Sequence, residues 1–236
     1  MRLFCAILCT YTAIFIPFLA GCDILSTMDV LNLLQNTNAV VALLQQRLSP
    51  IEQAISLVDN VEGFHPEARR SAVLLPLFEL QGKPHLLFIR RAATLRAHSG
   101  EIAFPGGKAD PEDSSLLHTA LREAREEVGI VPEHVVPLGV LPPVFTVMSN
   151  YLITPVVGFL PAGLGDLQLQ PSEVAEDIIV PLAGLADPAI LHTELWGSAQ
   201  KQRTVYFFDY GTYRIWGATG RILATLLDLL CAQSPQ

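Results

Sequence analysis

The spacing of apolar residues changes along the chain, and each spacing predicts a different element. Between residues 30 and 58 the apolar residues recur at helical intervals, and Ser49-Pro50 interrupts them, which predicts two short helices. Continuous apolar runs at residues 71–80 and 85–90 flank the sequence Gln81-Gly82-Lys83-Pro84. Two apolar runs joined by a short turn with Gly and Pro are typical of a β-hairpin. The pattern therefore predicts a helical segment followed by the first two strands of a sheet.

Strand and helix patterns alternate in the rest of the chain. Residues 114–128 have helical spacing and end at Gly129, a residue type that commonly terminates helices. A second helical stripe covers residues 218–230, and strands are predicted between the two helices at residues 135–140, 152–160, 174–180 and 205–210. Interleaved strands and helices predict a layered α/β domain over residues 66–236, preceded by a helical cap and linker at residues 28–65.

Composition and charge exclude some classes of protein. Half of the residues are hydrophobic and only 16% are charged, which excludes a disordered chain. The formal net charge of -8 argues against a nucleic-acid surface, which requires a basic stripe. A phosphorylated small molecule is still a suitable ligand, because a bound divalent cation reverses the local field. Three of the four cysteines lie within the first 22 residues, so neither a zinc site nor a disulfide framework is predicted.

The first 27 residues form a segment of their own, for which three hypotheses stay open. Residues 3–20 are almost entirely apolar, Arg2 precedes them, and Leu19-Ala20-Gly21-Cys22 closes the run, as in a lipoprotein signal peptide. Translation that starts at Met28 would remove residues 1–27 and predicts a cytoplasmic protein, which is the hypothesis we favour. A genuine signal predicts an inner-membrane lipoprotein anchored at Cys22, and membrane contact depends on this segment alone. The third hypothesis is that the segment folds into the core.

Three glutamates lie close together on the predicted helix of residues 114–128. Glu123, Glu126 and Glu127 stand at positions i, i+3 and i+4, which places their carboxylates on one helix face. Like charges at this spacing repel each other, and a cation held between them would relieve the repulsion. Carboxylate oxygens favour hard ions such as Mg²⁺ or Mn²⁺. The alternative is an exposed acidic stripe that pairs with Arg122 and Arg125.

A glycine turn precedes this helix and favours a metal site over an exposed acidic stripe. Pro105, Gly106 and Gly107 allow the backbone to approach a ligand or a metal closely. The following loop brings acids, including Asp113, to the start of the helix, where they also complement the helix dipole. A glycine turn beside clustered carboxylates favours the metal site, and Gly106 and Gly107 are predicted to contact the substrate.

The helix and the turn together resemble the Nudix box. Residues 122–130 (REAREEVGI) match the core of the box, and Gly107 is similar to the glycine that opens it. Ser114 stands where the box usually has a glutamate, eight residues before the arginine, but counting from Gly107 places Asp113 there instead. In the family this acid supports the box arginine. The resemblance therefore implies structural roles for Arg122, Asp113 and Gly129.

A second motif resembles the signature of the coenzyme A pyrophosphatase subfamily. The matching residues are Arg91, Ala92, Arg96, Gly100 and the segment 104–107 (FPGG). The signature normally begins with two leucines and a threonine, whereas this chain has Leu87-Phe88-Ile89. Arginine binds phosphate in a bidentate manner, so Arg90, Arg91 and Arg96 are predicted to bind substrate phosphates. The alternative for each of them is a strand-edge charge that faces water.

The resemblance implies a fold, a cofactor and a reaction. The fold is the Nudix fold, an α/β architecture with a mixed β-sheet sandwiched between helices, in this chain with a short helical N-terminal extension. Mg²⁺ or Mn²⁺ would be held by Glu123 and Glu127 with Glu126 assisting, and Glu126 or Glu127 would help to deprotonate the attacking water. The implied reaction splits the pyrophosphate bond of coenzyme A, a small molecule of the cytoplasm, into 3′,5′-ADP and 4′-phosphopantetheine.

Three alternatives to this function stay open at the level of sequence. The first is a Nudix pyrophosphatase for ADP-ribose, dinucleoside polyphosphates or oxidised nucleoside triphosphates, since the box is common to all of these. The second is a non-catalytic Nudix domain that senses a ligand, which the retained acidic cluster argues against. The third is a membrane-anchored lipoprotein of unrelated function. A homodimer is also compatible with the sequence.

Overall fold

A computed structural model of the protein describes residues 27–54, 57, 61, 67–94, 98–198 and 201–232. All but the last of residues 1–27 lie outside these ranges, so the three hypotheses about that segment stay predictions. Arg96 also lies outside them, and its phosphate-binding role stays a prediction. None of the helices within the described ranges is both long enough and apolar enough to cross a membrane.

Two helices precede the sheet, as the apolar spacing predicts, but the break between them lies elsewhere. Helix α1 spans Thr27–Leu33 and α2 spans Thr37–Arg47. Asn36 caps α2, because its side chain accepts a hydrogen bond at 3.1 Å from a backbone amide of the first turn. After Pro50 there is a 3-10 turn at Ile51–Gln53 where the sequence predicted the second helix. The cap at Asn36 thus supplies the helix boundary that the sequence pattern assigned to Pro50.

The main sheet is built on the hairpin that the sequence predicts. Strands β1 (Arg69–Leu80) and β2 (Lys83–Arg91) are antiparallel and are joined at Gln81 and Gly82, which both have positive φ. The other strands of this sheet are β3 (Ile102–Ala103), β4 (Gly106–Lys108), β5 (Val136–Val140), β6 (Val144–Thr146), β7 (Tyr151–Leu160) and β8 (Val174–Pro181). Strand β7 is parallel to β1, whereas β8 and β3 are antiparallel to β2. The sheet is therefore mixed, as predicted.

A second, smaller sheet follows the main one. It comprises β9 (Leu191–Ser198), β10 (Lys201–Tyr210) and β11 (Tyr213–Ile215), which are antiparallel, with β10 in the centre. The sequence pattern predicts only part of β10 and misses β9, in which every residue after the first is exposed. Prediction of a strand depends on one buried face, and β9 has no such face to mark it.

Helices cover both faces of the main sheet. On one face α3 (Leu116–Val128) buries Ala120 and Ala124 in an apolar cluster with β1. On the other face α5 (Gly217–Cys231) packs with α2 and the short helix α4 (Leu182–Leu185) over a second apolar cluster. The predicted sandwich of a mixed sheet between helices is therefore confirmed, and the helix with the three glutamates lies on one side of it.

Candidate active site

Local signals at both ends set the helix that carries the three glutamates. Ser115 caps its start, since the hydroxyl oxygen accepts a hydrogen bond at 3.1 Å from the amide three residues later. Gly129 ends it in the left-handed conformation, with a φ of 78°. Ala120 and Ala124 face the sheet, and the glutamates near the end of the helix reach the glycine turn at Gly106.

The three carboxylates lie at very different depths. The side chain of Glu127 is 2% exposed, that of Glu123 is 15% exposed and that of Glu126 is 58% exposed. Glu126 turns outwards and pairs with Arg122 at 3.1 Å. Glu123 and Glu127 lie against the glycine turn, so these two of the three predicted ligands are placed to share a cation.

Glu127 is held in place from two sides. Its Oε2 accepts a hydrogen bond from the Gly106 amide at 2.9 Å, and its Oε1 lies 3.6 Å from Nη1 of Arg91. Burial raises the pKa of Glu127 to about 8, and the charges of Glu123 and Glu173 add to this effect, whereas the Gly106 amide and Arg91 oppose it. A buried carboxylate of this kind is stabilised in its ionised form by a neighbouring cation.

Glu123 lies directly against the glycine turn. A β-carbon placed on Gly107 would stand 2.5 Å from Cδ of Glu123, so only glycine leaves room for this carboxylate. Oε1 of Glu123 pairs with Nη1 of Arg122 at 3.0 Å. Burial raises the pKa of Glu123 above its ordinary value; Arg122 opposes this effect, and the charges of Glu126 and Glu173 add to it.

Arg122 connects the carboxylates to the loop before the helix. Its Nε and Nη2 donate hydrogen bonds to the two oxygens of Asp113, each at 3.0 Å, and Nη2 also donates to the Lys108 carbonyl at 3.1 Å. The Asp113 side chain is buried and also accepts a hydrogen bond from the Thr119 hydroxyl at 2.9 Å. The Arg122 guanidinium holds the pKa of Asp113 well below its usual range. Asp113 is thus bonded to the arginine that the resemblance assigns to it.

The described arginines predicted to bind phosphate point to opposite faces of the sheet. Arg91 faces Glu127, and its Nε is buried with no hydrogen-bond partner within the described ranges. Arg90 points to the other face, where its Nε pairs with Oε2 of Glu176 at 2.9 Å. Arg91 therefore lies at the carboxylates, whereas Arg90 does not.

This site falls within a known domain family. The NUDIX domain family matches residues 68–197, which are more than half of the chain and include every site residue described above. This chain belongs to the Nudix hydrolase superfamily. The predicted superfamily is thereby confirmed, and the matched residues include α3, whose sequence resembles the Nudix box.

Curated relatives of this Nudix hydrolase match over most of their own length. An "uncharacterized Nudix hydrolase NudL" of Photorhabdus laumondii is 46% identical over 158 residues, which are 67% of this chain and 83% of the relative. The protein of the same name from Pectobacterium atrosepticum is 42% identical over 178 residues, which are 73% of this chain and 88% of the relative. These relatives, which carry the name of a Nudix hydrolase, agree with the predicted superfamily. Among solved structures, a MutT/nudix family protein from Enterococcus faecalis is 14% identical with a TM-score of 0.45, and the match covers 86% of this chain and 74% of that chain.

One carboxylate of the Nudix site was not predicted from the sequence. Glu173 stands immediately before β8, and its charge raises the pKa values of both Glu123 and Glu127. Its carbonyl accepts a hydrogen bond from the Ala92 amide at 2.8 Å, which ties this position to the end of β2. Glu173 has no regular spacing from the Nudix box, because long-range contacts bring it there. Strand β2 pairs with β8, and in the turn before β8 the Gln170 amide donates a hydrogen bond to the Glu127 carbonyl at 2.9 Å. In the sequence, Glu173 is marked only by its position as a charged residue directly before an apolar strand.

The donors at the Nudix box fit a divalent cation that is bound together with its substrate. Within the described ranges, no three His, Cys, Asp or Glu side chains are grouped closely enough to hold an ion alone. Glu123 and Glu127 supply two carboxylates beside a glycine turn that has no side chains to block the approach. Mg²⁺ typically takes one or two carboxylates and completes its shell with water and substrate phosphates. A hard divalent ion with a phosphorylated small molecule is therefore the ligand combination that suits this site.

The raised pKa of Glu127 predicts that the metal-free protein loses stability as the pH increases. The ordinary pKa of this carboxyl is 4.5, and its pKa in the folded protein is about 8. Between these two values the folded state binds a proton that the unfolded state has released, so the free energy of unfolding falls as the pH rises through this window. Thermal unfolding in EDTA at about pH 5.5 and about pH 8.5 measures the slope. The slope should be smaller in Glu127→Gln, and an equal slope in both proteins would contradict the assignment.

Proposed function

We propose that this Nudix hydrolase cleaves the pyrophosphate bond of coenzyme A or a close derivative, releasing 3′,5′-ADP and 4′-phosphopantetheine. The observation that carries the proposal is the 3.6 Å distance between Nη1 of Arg91 and Oε1 of Glu127. Arg91 matches the motif that resembles the coenzyme A pyrophosphatase signature, and Glu127 matches the motif that resembles the Nudix box. Because the two motifs meet in one site, they support an arginine for substrate recognition beside carboxylates for metal binding.

Arg91 has the properties of a phosphate-binding residue. Its side chain is 26% exposed, so a ligand at the surface of the site can reach the guanidinium while much of the side chain is buried. Its buried Nε has no hydrogen-bond partner within the described part of the chain. A phosphate oxygen would therefore be bound by the exposed part of the guanidinium, which can donate charge-assisted hydrogen bonds, and not by the buried Nε. A phosphate group at the carboxylates would therefore meet a donor that is already in place.

Different residues of the site would bind the cation, position the carboxylates and accept the proton during hydrolysis. Glu123 and Glu127 would hold Mg²⁺ or Mn²⁺, which, when bound, neutralises charge on the pyrophosphate. The Gly106 amide fixes the Glu127 carboxylate, and Gly107 leaves space for that of Glu123. In the reaction a water oxygen attacks one phosphorus and the bridging P–O bond breaks, with its electron pair going to the leaving phosphate. A carboxylate accepts the proton of the water.

Exposure and pairing favour Glu173 as the acceptor of that proton. Glu126, which the sequence suggests for this role, points to solvent and is paired with Arg122. Glu127, the other candidate, is buried between Gly106 and Arg91 and is better placed to hold the cation. Glu173 is exposed, its charge acts on both inner glutamates, and its side chain has no ion pair within the described ranges. An exposed carboxylate near the two inner glutamates is open to the attacking water.

The proposed function is tested by turnover of the full-length chain on a panel of substrates. The panel contains coenzyme A, ADP-ribose, diadenosine polyphosphates and nucleoside triphosphates, each with Mg²⁺, with Mn²⁺ and with EDTA. We expect metal-dependent release of 3′,5′-ADP from coenzyme A at a rate well above all other rates. Preference for another nucleotide would keep the Nudix chemistry but overturn the proposed substrate. Absence of turnover on every substrate would favour a ligand-sensing role.

Replacement of Arg91 should affect coenzyme A turnover more than replacement of another arginine nearby. Arg91→Ala removes a charge-assisted bond to substrate phosphate, and we expect kcat/KM for coenzyme A to fall about 10- to 100-fold. Arg125→Ala is the matched control, because Arg125 is an exposed arginine of the same Nudix box. Steady-state kinetics at saturating Mg²⁺ measures both variants. Equal losses in the two variants would contradict substrate recognition by Arg91.

A further inference from the structure

Two adjacent arginines of β2 reach opposite faces of the main sheet, and only one of them lies in the proposed active site. Arg91 contacts Glu127 of α3, which covers one face. Arg90 contacts Glu176 of β8 and lies over the ring of Tyr213 in β11, on the face covered by the second sheet. Successive side chains of a strand point to opposite faces, so the position of Arg90 determines where Arg91 points.

Arg90, Glu176 and Tyr213 form a closed network, which we call the back-face triad. Nε of Arg90 donates a hydrogen bond to Oε2 of Glu176 at 2.9 Å, and the Tyr213 hydroxyl donates to Oε1 of Glu176 at 2.7 Å. The guanidinium carbon of Arg90 lies 5.4 Å from the centre of the Tyr213 ring. Each member therefore contacts the other two, and the triad joins β2 and β8 of the main sheet to β11 of the second sheet.

The back-face triad lies at an irregularity in the pairing of β2 with β8. Arg90 is paired with Glu176, but the next residue, Arg91, is paired with Val174, so Ala175 is an extra residue. Such a β-bulge interrupts the ladder of hydrogen bonds and bends the bulged strand. Beyond the bulge the Ala92 amide donates to the carbonyl of Glu173 at 2.8 Å. The bulge thus separates the back-face triad from Arg91, which contacts Glu127, and from Glu173, whose charge acts on Glu123 and Glu127.

The exposure of the triad argues against a role in overall stability. The side chains of Arg90 and Glu176 are 33% and 40% exposed, and ion pairs with this exposure contribute little to the free energy of unfolding. The ion pair can matter more for strand register than for the free energy of unfolding, because a slip of one residue moves every side chain of a strand to the opposite face. A charge-assisted bond beside a bulge opposes such a slip.

We propose that Glu176 is a positioning residue, which acts through Arg90 and Tyr213 to hold the bulge at Ala175 and so keeps Arg91 and Glu173 directed at the Nudix box. This inference rests on the proposed function in one respect, namely that Arg91 and Glu173 act on a pyrophosphate substrate. Glu176 does not touch the reacting groups. Loss of Glu176 should instead change the positions of Arg91 and Glu173, the two residues beyond the bulge.

The first test is the Glu176→Gln variant, which keeps the size of the side chain and removes its charge. We expect kcat to fall about 10-fold, since small misplacements of catalytic groups have effects of this order, with KM changed less than about 2-fold. The control is Asp209→Asn, which breaks the 2.7 Å pair of Asp209 with Arg214 on the second sheet, away from β2 and β8. The melting temperatures of the two variants should agree. A kcat equal to that of the control would overturn the proposal.

Exchanging the charges of Arg90 and Glu176 tests whether the ion pair itself, and not the size of either side chain, maintains kcat. Arg90→Glu alone should lower kcat, and the double variant Arg90→Glu with Glu176→Arg should recover most of it, because it restores an ion pair across the same register. Tyr213→Phe removes one hydrogen bond to Glu176 and should give a smaller loss than Glu176→Gln. A double variant no more active than Arg90→Glu would contradict the role of the pair.

Hydrogen exchange provides a readout that needs no substrate. The Ala92 amide is bonded to Glu173 beyond the bulge, so we expect it to exchange about 10-fold faster in Glu176→Gln while amides in the β1–β2 hairpin are unchanged. Unchanged exchange at Ala92 would overturn the positioning role even if the enzyme were active. If the wild-type chain failed to cleave coenzyme A, faster exchange at Ala92 would still support the positioning role, and the proposed function alone would fail.

Discussion

Glu127→Gln is expected to lower kcat about 1000-fold, which corresponds to roughly 4 kcal/mol of transition-state stabilisation. The carboxylate is 2% exposed, is fixed by the Gly106 amide at 2.9 Å and lies beside Glu123. The glutamine keeps the shape of the side chain but removes the charge that would bind the cation. Steady-state turnover as a function of Mg²⁺ concentration measures the loss, and the concentration of Mg²⁺ for half-maximal rate should rise as well.

Glu126→Gln is the matched control for this prediction. Glu126 belongs to the same box and the same helix, but its side chain is 58% exposed and its partner is Arg122. We therefore expect a loss of less than about 10-fold, since exposed ion pairs contribute little. A larger loss in Glu126→Gln than in Glu127→Gln would show that the cation is bound by the outer glutamate, and the assignment of the inner pair would then be wrong.

Asp113→Asn is expected to destabilise the folded protein far more than the replacement of an exposed residue of the same loop. Asp113 is 3% exposed and accepts two hydrogen bonds at 3.0 Å from Arg122, which is itself 21% exposed. Asparagine keeps one acceptor oxygen but loses the charge and the second acceptor for the guanidinium, and loss of a charge-assisted hydrogen bond costs about 2 kcal/mol. Arg122 also contacts Glu123 and Glu126, so its guanidinium should lose orientation and turnover should fall together with stability.

Equilibrium unfolding in urea measures this loss, and Ser114→Ala provides the comparison. Ser114 occupies the position of the usual box glutamate when residues are counted back from Arg122, whereas Asp113 occupies it when they are counted forward from Gly107. We expect Ser114→Ala to change the free energy of unfolding by less than about 0.5 kcal/mol, as for most surface substitutions. If Ser114→Ala were the more damaging of the two, the count from Arg122 would be the correct one.

Features that depend on a single element were predictable from the sequence of that element. The helix between Ser115 and Gly129 follows from an N-cap, an apolar stripe and a terminating glycine. The hairpin through Gln81 and Gly82 follows from two apolar runs and a turn. The pairing of Asp113 with Arg122 was implied by the resemblance to the Nudix box, once residues were counted from Gly107. These are local properties of the chain, and local patterns encode them.

The burial of a side chain and its contacts with residues far away in the sequence could be seen only in the tertiary structure. Helical spacing places Glu123, Glu126 and Glu127 on one face, but the packing of α3 against the glycine turn decides that two of them are inside and one is outside. Strand alternation separates Arg90 from Arg91, yet it does not show which face holds the site.

Glu173 is the strongest case of a residue that only the folded chain brings to the site. It reaches the Nudix box through the pairing of β2 with β8 and through the hydrogen bond from the Gln170 amide to the Glu127 carbonyl, and no periodic pattern in the sequence encodes either feature. Strand β9 was missed for a related reason, since a strand without a buried face leaves no alternation to detect. Local sequence patterns therefore predict the helix that carries the box and the spacing of its three glutamates. Long-range packing determined which charges are buried together, because burial depends on every element that covers a residue and not on the spacing of its neighbours.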